Sequence, residues 1–249
     1  MNPFDSKEMA LGYAHARPPP HQRIVHLFRP HLPASVGRAL DLGCGAGLST
    51  QALAPLPAFG LEPVESMARL APSISLAARG FLCARSEQLP FADAAFDLLT
   101  AAGSLNYMDP ARALPEAARA LTTAGILAVY DFSPGRFAGD WFDRFRQRYP
   151  SPPAEALKLD PDRVAALAHP WFEPLAHEHF ALDLELTRDF YLRYMLTETN
   201  VAAAVRRGVA FDEIRAWVES SLLEDWPVSP DSPANVTFRG YWACLQRAA

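Results

Sequence analysis

Residues 39–47 read Ala39-Leu40-Asp41-Leu42-Gly43-Cys44-Gly45-Ala46-Gly47, an apolar strand that leads into three glycines and then a helix. Glycine admits positive φ and, having no Cβ, lets a ligand lie against the backbone. At the carboxyl edge of a parallel sheet, a strand, glycine turn and helix start form the crevice used by nucleotide-like ligands. Spacing selects the ligand. A dinucleotide fingerprint places its glycines as GxGxxG, which seats a pyrophosphate on the helix N-terminus. Here Leu48 stands where the third glycine of that pattern would fall, so a ligand without phosphates that presents an amino acid group fits better. Glu62 ends the next apolar run, in Gly60-Leu61-Glu62-Pro63, where a carboxylate can accept hydrogen bonds from both hydroxyls of a ribose. The competing readings are a tight turn without a ligand for the loop and a helix-flanking surface group for the acid. Their joint spacing is far more specific.

The elements that must position these groups follow from periodicity. Short apolar runs at 38–42, 59–62, 80–84, 96–101 and 126–132 alternate with helix-like segments, the rhythm of βαβ units around a parallel sheet covered on both faces. Helices are predicted at 49–56, 65–76 and 110–121, the last stopped by Thr122-Thr123-Ala124-Gly125. The Gly-, Pro-, aromatic- and Arg-rich stretch 133–153 reads as a connection leaving the sheet. A short helix is expected at 160–169, with Pro161 in its first turn. Alternation at 182–186 and 236–245 predicts two further strands, a candidate antiparallel pair closing the sheet. Two or three helical segments between 188 and about 224 interrupt that pairing as a cap.

ALDLGCGAG, GLEPVESM, ARSEQLPFADAAFDLL and LTTAGILAVYDF resemble, in register, the successive motifs of the class I S-adenosylmethionine-dependent methyltransferases. The similarity is strongest to the small-molecule group that includes the ubiquinone/menaquinone and trans-aconitate methyltransferases. It covers residues 1–135 well and the remainder by architecture. The resemblance implies an α/β fold: a Rossmann-like, mostly parallel seven-stranded sheet with helices on both faces and a helical cap inserted before the last strand. It implies one methyltransferase domain over 1–249, made of an N-terminal helical segment covering the cofactor (1–37), a cofactor-binding core (38–135), a connection and edge strand (136–187), the cap (188–230) and a last strand (235–247).

Carried over by position, Asp41, Gly43, Cys44 and Gly45 would hold the methionine end of S-adenosylmethionine, and Glu62 with Pro63 its ribose. Met67 would border the adenine, with Ser86 and Glu87 lining it. Many relatives carry an acid where this chain has Arg85. Ala102 and Gly103 would flank the sulfonium, with Ser104 to Tyr107 at the entrance for the acceptor. In a segment that resembles YxxxRP, Tyr13 would fold over the cofactor and Arg17 would help to anchor the segment, closing one wall of the cofactor site. Substrate candidates are Tyr107, Trp141, Arg144, Arg188, Tyr191 and Tyr194; arginine suits an anionic acceptor, although the same residues also read as ties within the cap. Methyl transfer is an in-line displacement that needs alignment rather than a metal, and the expected product is S-adenosylhomocysteine. Among His169, His177 and His179 none stands out as a catalytic base.

Composition narrows the remaining classes. With 249 residues, 50% of them hydrophobic, the chain suits one elaborated core. A formal net charge of -5 without a long basic run argues against a nucleic-acid partner. No stretch reads as a signal or a membrane span. The three cysteines, Cys44, Cys83 and Cys244, form no CxxC pair and are expected to be reduced and mostly buried. The sequence thus points to a soluble, cytoplasmic methyltransferase with a small-molecule acceptor; oligomeric state is left open. A nicotinamide-dependent oxidoreductase and a non-catalytic cofactor-binding module are the alternatives.

Overall fold

Four residues, Ala39–Leu42, make the first strand, β1, and all four are buried, as a strand covered on both faces must be. The computed structural model describes residues 16–151, 156–229 and 232–248, and β1 is an interior strand of its sheet. After β1 come β2 (Ala58–Leu61), β3 (Gly80–Leu82), β4 (Phe96–Ala102), β5 (Leu121–Phe132), β6 (Phe172–Leu186) and β7 (Ala234–Arg247). Their order is β3-β2-β1-β4-β5-β7-β6. β1 pairs in parallel with β2 and β4, β2 with β3, and β4 with β5, while β7 runs antiparallel to β5. The chain leaves β1 towards β3 and returns to β4 on the other side. In such sheets the carboxyl ends of the strands flanking an order reversal, here β1 and β4, are the usual ligand position.

Helices join the parallel strands: α2 (Leu48–Ala52), α3 (Glu65–Ile74) and α4 (Pro110–Ala120), with α1 (Pro20–Phe28) preceding β1. Helix α1 buries Ile24, Val25 and Phe28, one stripe at helical spacing. Helix α4 starts where Asp109 accepts the Ala111 N–H and Pro110 occupies the first turn, a pairing of cap and proline that suits a helix start. It buries Leu114, Ala117, Ala118 and Ala120 in a core with Leu99, Leu127 and Val129 of the sheet and Val164 and Phe172. Later helices are α5 (Trp141–Arg148), α6 (Pro161–Ala168), α7 (Arg188–Leu196), α8 (Thr199–Arg206) and α9 (Phe211–Asp225). Helices α7 to α9 fall between β6 and β7 in the chain, where a helical insertion was expected. By internal packing the described residues form two compact units. One comprises residues 19–132, 156–180 and 240–248, and the other residues 16–18, 133–151, 181–229 and 232–239.

Three expectations need correction. Strand β5 begins at Leu121, directly after α4 ends at Ala120, rather than at the expected residue 126. Phe96 pairs with Leu121 and Leu98 with Ile126, so the Thr-Thr-Ala-Gly stretch is an extended bulge, as β-branched threonines favour. Strand β6 begins at Phe172, ten residues before the alternation that announced it; its first half is mostly exposed and leaves no apolar signature. Within the stretch read as a connection lies α5, which buries Trp141, Phe142 and Phe145.

Candidate functional site

The bend after β1 is assembled by hydrogen bonds from two directions. Gly43, Gly45 and Gly47 all have positive φ (66, 54 and 90°), which explains three glycines at alternate positions. The N–H groups of Gly43 and Cys44 both donate to the Leu61 carbonyl at the end of β2, at 2.8 and 3.1 Å. Beneath the bend, Asp41 is fully buried. Its Oδ2 accepts from Ser49 Oγ at 2.6 Å and Thr50 Oγ1 at 2.8 Å, and its Oδ1 from Thr100 Oγ1 at 2.7 Å. Two of these hydroxyls lie in the first turn of α2 and the third on β4, directly across from Asp41 in the sheet register. One carboxylate thereby ties strand, helix start and neighbouring strand together. Burial raises its pKa and the three hydroxyls oppose that rise.

Glu62 is the second anchor and is 7% exposed. Its Oε2 accepts the Gly45 N–H at 2.9 Å and its Oε1 the Val64 N–H at 2.8 Å. Each oxygen keeps a further lone pair for a ligand. Burial pushes this carboxyl up, against the pull of those two N–H groups. An ideal Cβ on Gly45 would meet nothing within 4 Å, so the bend presents bare backbone to open space, next to a carboxylate. This arrangement fits a nucleoside that carries an amino acid group. Cys44 is buried, and burial together with the charges of Asp41 and Glu62 drives its thiol far above its ordinary range. It stays a neutral thiol and fills space rather than attacking anything.

Other anticipated cofactor residues share the unit that holds the bend. Met67 is buried at the start of α3, while Pro63 is exposed. Ser86 is buried. Burial alone would raise the Glu87 carboxyl, but the Asp109 N–H, donated to its Oε1 at 3.1 Å, and neighbouring Arg85 hold it below its ordinary value. The loop carrying Ser86 and Glu87 is clasped by Arg119, which donates to the carbonyls of Leu89 at 3.0 Å and Phe91 at 2.8 Å. Ala102 and Gly103 end β4, and Gly103 again has positive φ (59°). Ser104 follows, its Oγ donating to the Leu42 carbonyl at 2.6 Å, and a 3-10 turn (Leu105–Tyr107) leaves Tyr107 70% exposed.

The remaining expected residues fall in the other unit or outside the described residues. Tyr13 lies outside the described residues. Arg17 belongs to the other unit, where it bonds Glu198 at 2.7 Å and the Thr197 carbonyl at 3.2 Å, over the ring of Tyr194. In that same unit Tyr191 is buried and donates to the Gly135 carbonyl at 2.8 Å, while Tyr194 Oη accepts the Gly135 N–H at 3.2 Å. Trp141 is buried, stacked on Phe145, with its indole N–H on Ser221 Oγ at 2.8 Å. Arg144 pairs with Asp225 and Asp140. Arg188 lines a small cleft with Asp189, Leu192, Glu219 and Leu222.

Sequence reading passed over Asp131 and Tyr241. Asp131 stands near the end of β5 and Tyr241 on β7 directly opposite it. The available signal was positional: in Tyr130-Asp131-Phe132 an acid closes a buried apolar strand, as Glu62 does after β2. Among the described residues, no helix is long and apolar enough to cross a membrane, and no group of three or more His, Cys, Asp or Glu is arranged to hold a metal ion.

Residues 40–129 match the profile of a family described as a methyltransferase domain. An uncharacterized methyltransferase from Mycobacterium tuberculosis is 34% identical over 100 residues, 39% of this chain and 41% of that protein. The demethylmenaquinone methyltransferase of a Roseiflexus species is 34% identical over 145 residues, covering 54% of this chain and 60% of its own. The chain thus spans less than two thirds of either relative. In fold, the solved structure of a proposed type II methyltransferase from Anaeromyxobacter dehalogenans superposes with a TM-score of 0.68 at 22% identity, over 88% of this chain and 94% of that one. The stretch that carries the glycine bend and Glu62 is therefore similar to a methyltransferase domain in sequence, and the fold around it is similar to that of a solved methyltransferase-like structure.

Proposed function

We propose that the protein transfers a methyl group from S-adenosylmethionine to a small-molecule acceptor. One observation carries this reading: the Glu62 carboxylate closes on the Gly45 N–H beside an open glycine bend, inside the stretch that matches the methyltransferase domain. In this reading Gly43, Cys44 and Gly45 receive the amino acid end of the cofactor along bare backbone. Glu62 and Pro63 take the ribose, Met67, Ser86 and Glu87 border the base, and Ala102 and Gly103 flank the sulfur. Asp41 acts from below by holding the bend in shape. When bound, the cofactor supplies a methyl group on a positively charged sulfur, open to in-line displacement. The chain's part is then to align the acceptor and exclude water.

The net charge of -5 supports a small acceptor over a nucleic acid, and three free cysteines support a cytoplasmic address. Calorimetry with S-adenosylhomocysteine and with NAD tests the cofactor: the former is expected to bind and the latter not, and the reverse result rejects the proposal. Turnover of methyl-labelled S-adenosylmethionine against a metabolite panel then separates an enzyme from a binding module.

A further inference from the structure

Helices α7 and α9 pack against each other, with a cleft of about 60 Å³ lined by Arg188, Asp189, Leu192, Glu219 and Leu222. All five belong to the unit that does not carry the glycine bend. Arg188 is the first residue of α7, directly after the Thr187 cap, whose hydroxyl accepts the Phe190 N–H at 3.2 Å. A cation in that position stands against the positive end of the helix dipole. The side chain is partly buried and its Nη1 is closed off from water; among the described residues its guanidinium has neither a hydrogen-bond nor an ion-pair partner. A partly desolvated charge without a counter-charge costs free energy, which an arriving anion recovers. On the facing helix Glu219 is exposed, and among the described residues its carboxylate is likewise unpaired. Asp189 is engaged by Arg193 at 3.0 Å. The rest of the wall is apolar: half-buried Leu192 and buried Leu222.

Opposite charges that line one cleft without pairing select its ligand. A lone carboxylate would gain Arg188 but face Glu219 and Asp189, and a lone amine would gain Glu219 but face Arg188. A zwitterion answers both, because its carboxylate forms a charge-assisted pair with the guanidinium while its ammonium lies towards Glu219. Size agrees with this. One water needs about 10–15 Å³ of such space, so the cleft admits about five heavy atoms, as many as an amino acid head group contains. We infer that the cleft between α7 and α9 is a binding site for a free apolar α-amino acid, with Arg188 on its carboxylate, Glu219 on its ammonium, and Leu192 and Leu222 beside its side chain. The site is separate from the glycine bend and does not depend on the methyltransferase reading. S-adenosylhomocysteine carries the same head group, so the experiment has to distinguish the two places where that group could be held.

The test is direct binding to the full chain, read by ligand-observed NMR and calorimetry, with L-leucine and two truncated probes. The probes are 4-methylpentanoate, which is leucine without its ammonium, and 3-methylbutylamine, which is leucine without its carboxylate. Leucine should bind, and each truncated probe should bind at least tenfold more weakly. Leucine binding should persist at saturating S-adenosylhomocysteine; its loss would place leucine at the bend and overturn the inference. Arg188→Gln should weaken leucine at least tenfold and leave S-adenosylhomocysteine affinity unchanged. Glu219→Gln, at an exposed position on α9, should weaken leucine without weakening 4-methylpentanoate, a split that a merely structural role for Glu219 would not produce. No binding of leucine, equal binding of 4-methylpentanoate, undiminished leucine affinity in Arg188→Gln, or equal weakening of both ligands in Glu219→Gln overturns the inference.

Discussion

Glu62 Oε2 accepts the Gly45 N–H at 2.9 Å, which makes the acid after β2 and the bend after β1 a single structural piece. Removing the carboxylate therefore takes away both a ribose ligand and a support of the loop. Glu62→Ala should weaken S-adenosylhomocysteine at least tenfold, about 1.4 kcal/mol, by calorimetry. A folded variant that keeps wild-type affinity contradicts the ribose role.

Asp41 accepts from three hydroxyls in a fully buried position. In Asp41→Ala, Ser49, Thr50 and Thr100 lose their acceptor, and each unsatisfied buried group costs about 1–3 kcal/mol. The loss should be at least about 3 kcal/mol in urea unfolding. Asp41→Asn, which keeps one acceptor oxygen, should lose less. An Asp41→Ala variant within about 0.5 kcal/mol of wild type would show that the three hydroxyls find other partners at no cost.

Arg17 and Glu198 form a mostly buried pair, with side chains 17% and 10% exposed. Glu198 has its pKa raised by burial, and Arg17 opposes that rise. A raised carboxylate favours the fold below its unfolded value of about 4.3 and loses that contribution as pH climbs through the folded value. Without Arg17 the folded value rises further, so Arg17→Ala should cost about 3 kcal/mol near pH 8 and distinctly less near pH 5. Melting curves at the two pH values measure this, and an equal deficit at both would place the effect in packing over Tyr194 rather than in charge.

Cys83 is exposed, whereas Cys44 and Cys244 are buried. The Cys244 thiol is pushed up to about 12 by burial, and burial, Asp41 and Glu62 drive Cys44 higher. Because the thiolate is the reactive form, iodoacetamide at neutral pH should add one carbamidomethyl group to the native chain and three in urea, read by intact mass. Native modification of Cys44 would show that the bend opens.

Those groups were legible in the sequence to the extent that their partners are close along the chain. The bend at 43–47 and the acid at 62 announced themselves because positive φ demands glycine and because Glu62 ends an apolar strand. The partners of Asp41 were not legible: Thr100 is 59 residues away and meets it only through the β1–β4 register. Arg17 was expected to anchor its segment, but Glu198, 181 residues on, carries no local mark of that role. Strand β6 outran its expected span because an exposed strand has no face to pattern. Helix α5 hid in a stretch whose aromatics, Trp141, Phe142 and Phe145, are too few for its period to show.

Gly43 and Ser104 meet where the carboxyl ends of β1 and β4 face each other, and an ideal Cβ on Gly43 would lie 2.6 Å from the Ser104 Cβ. The gap between these two lips is therefore as narrow as a single hydrogen permits, and the serine hydroxyl, bonded to Leu42, draws them together. A methyl at position 43 would act as a wedge and prise the crevice open from its root. Drift in ligand preference during evolution must accordingly be sought around the rim, since the hinge line itself has no slack to yield.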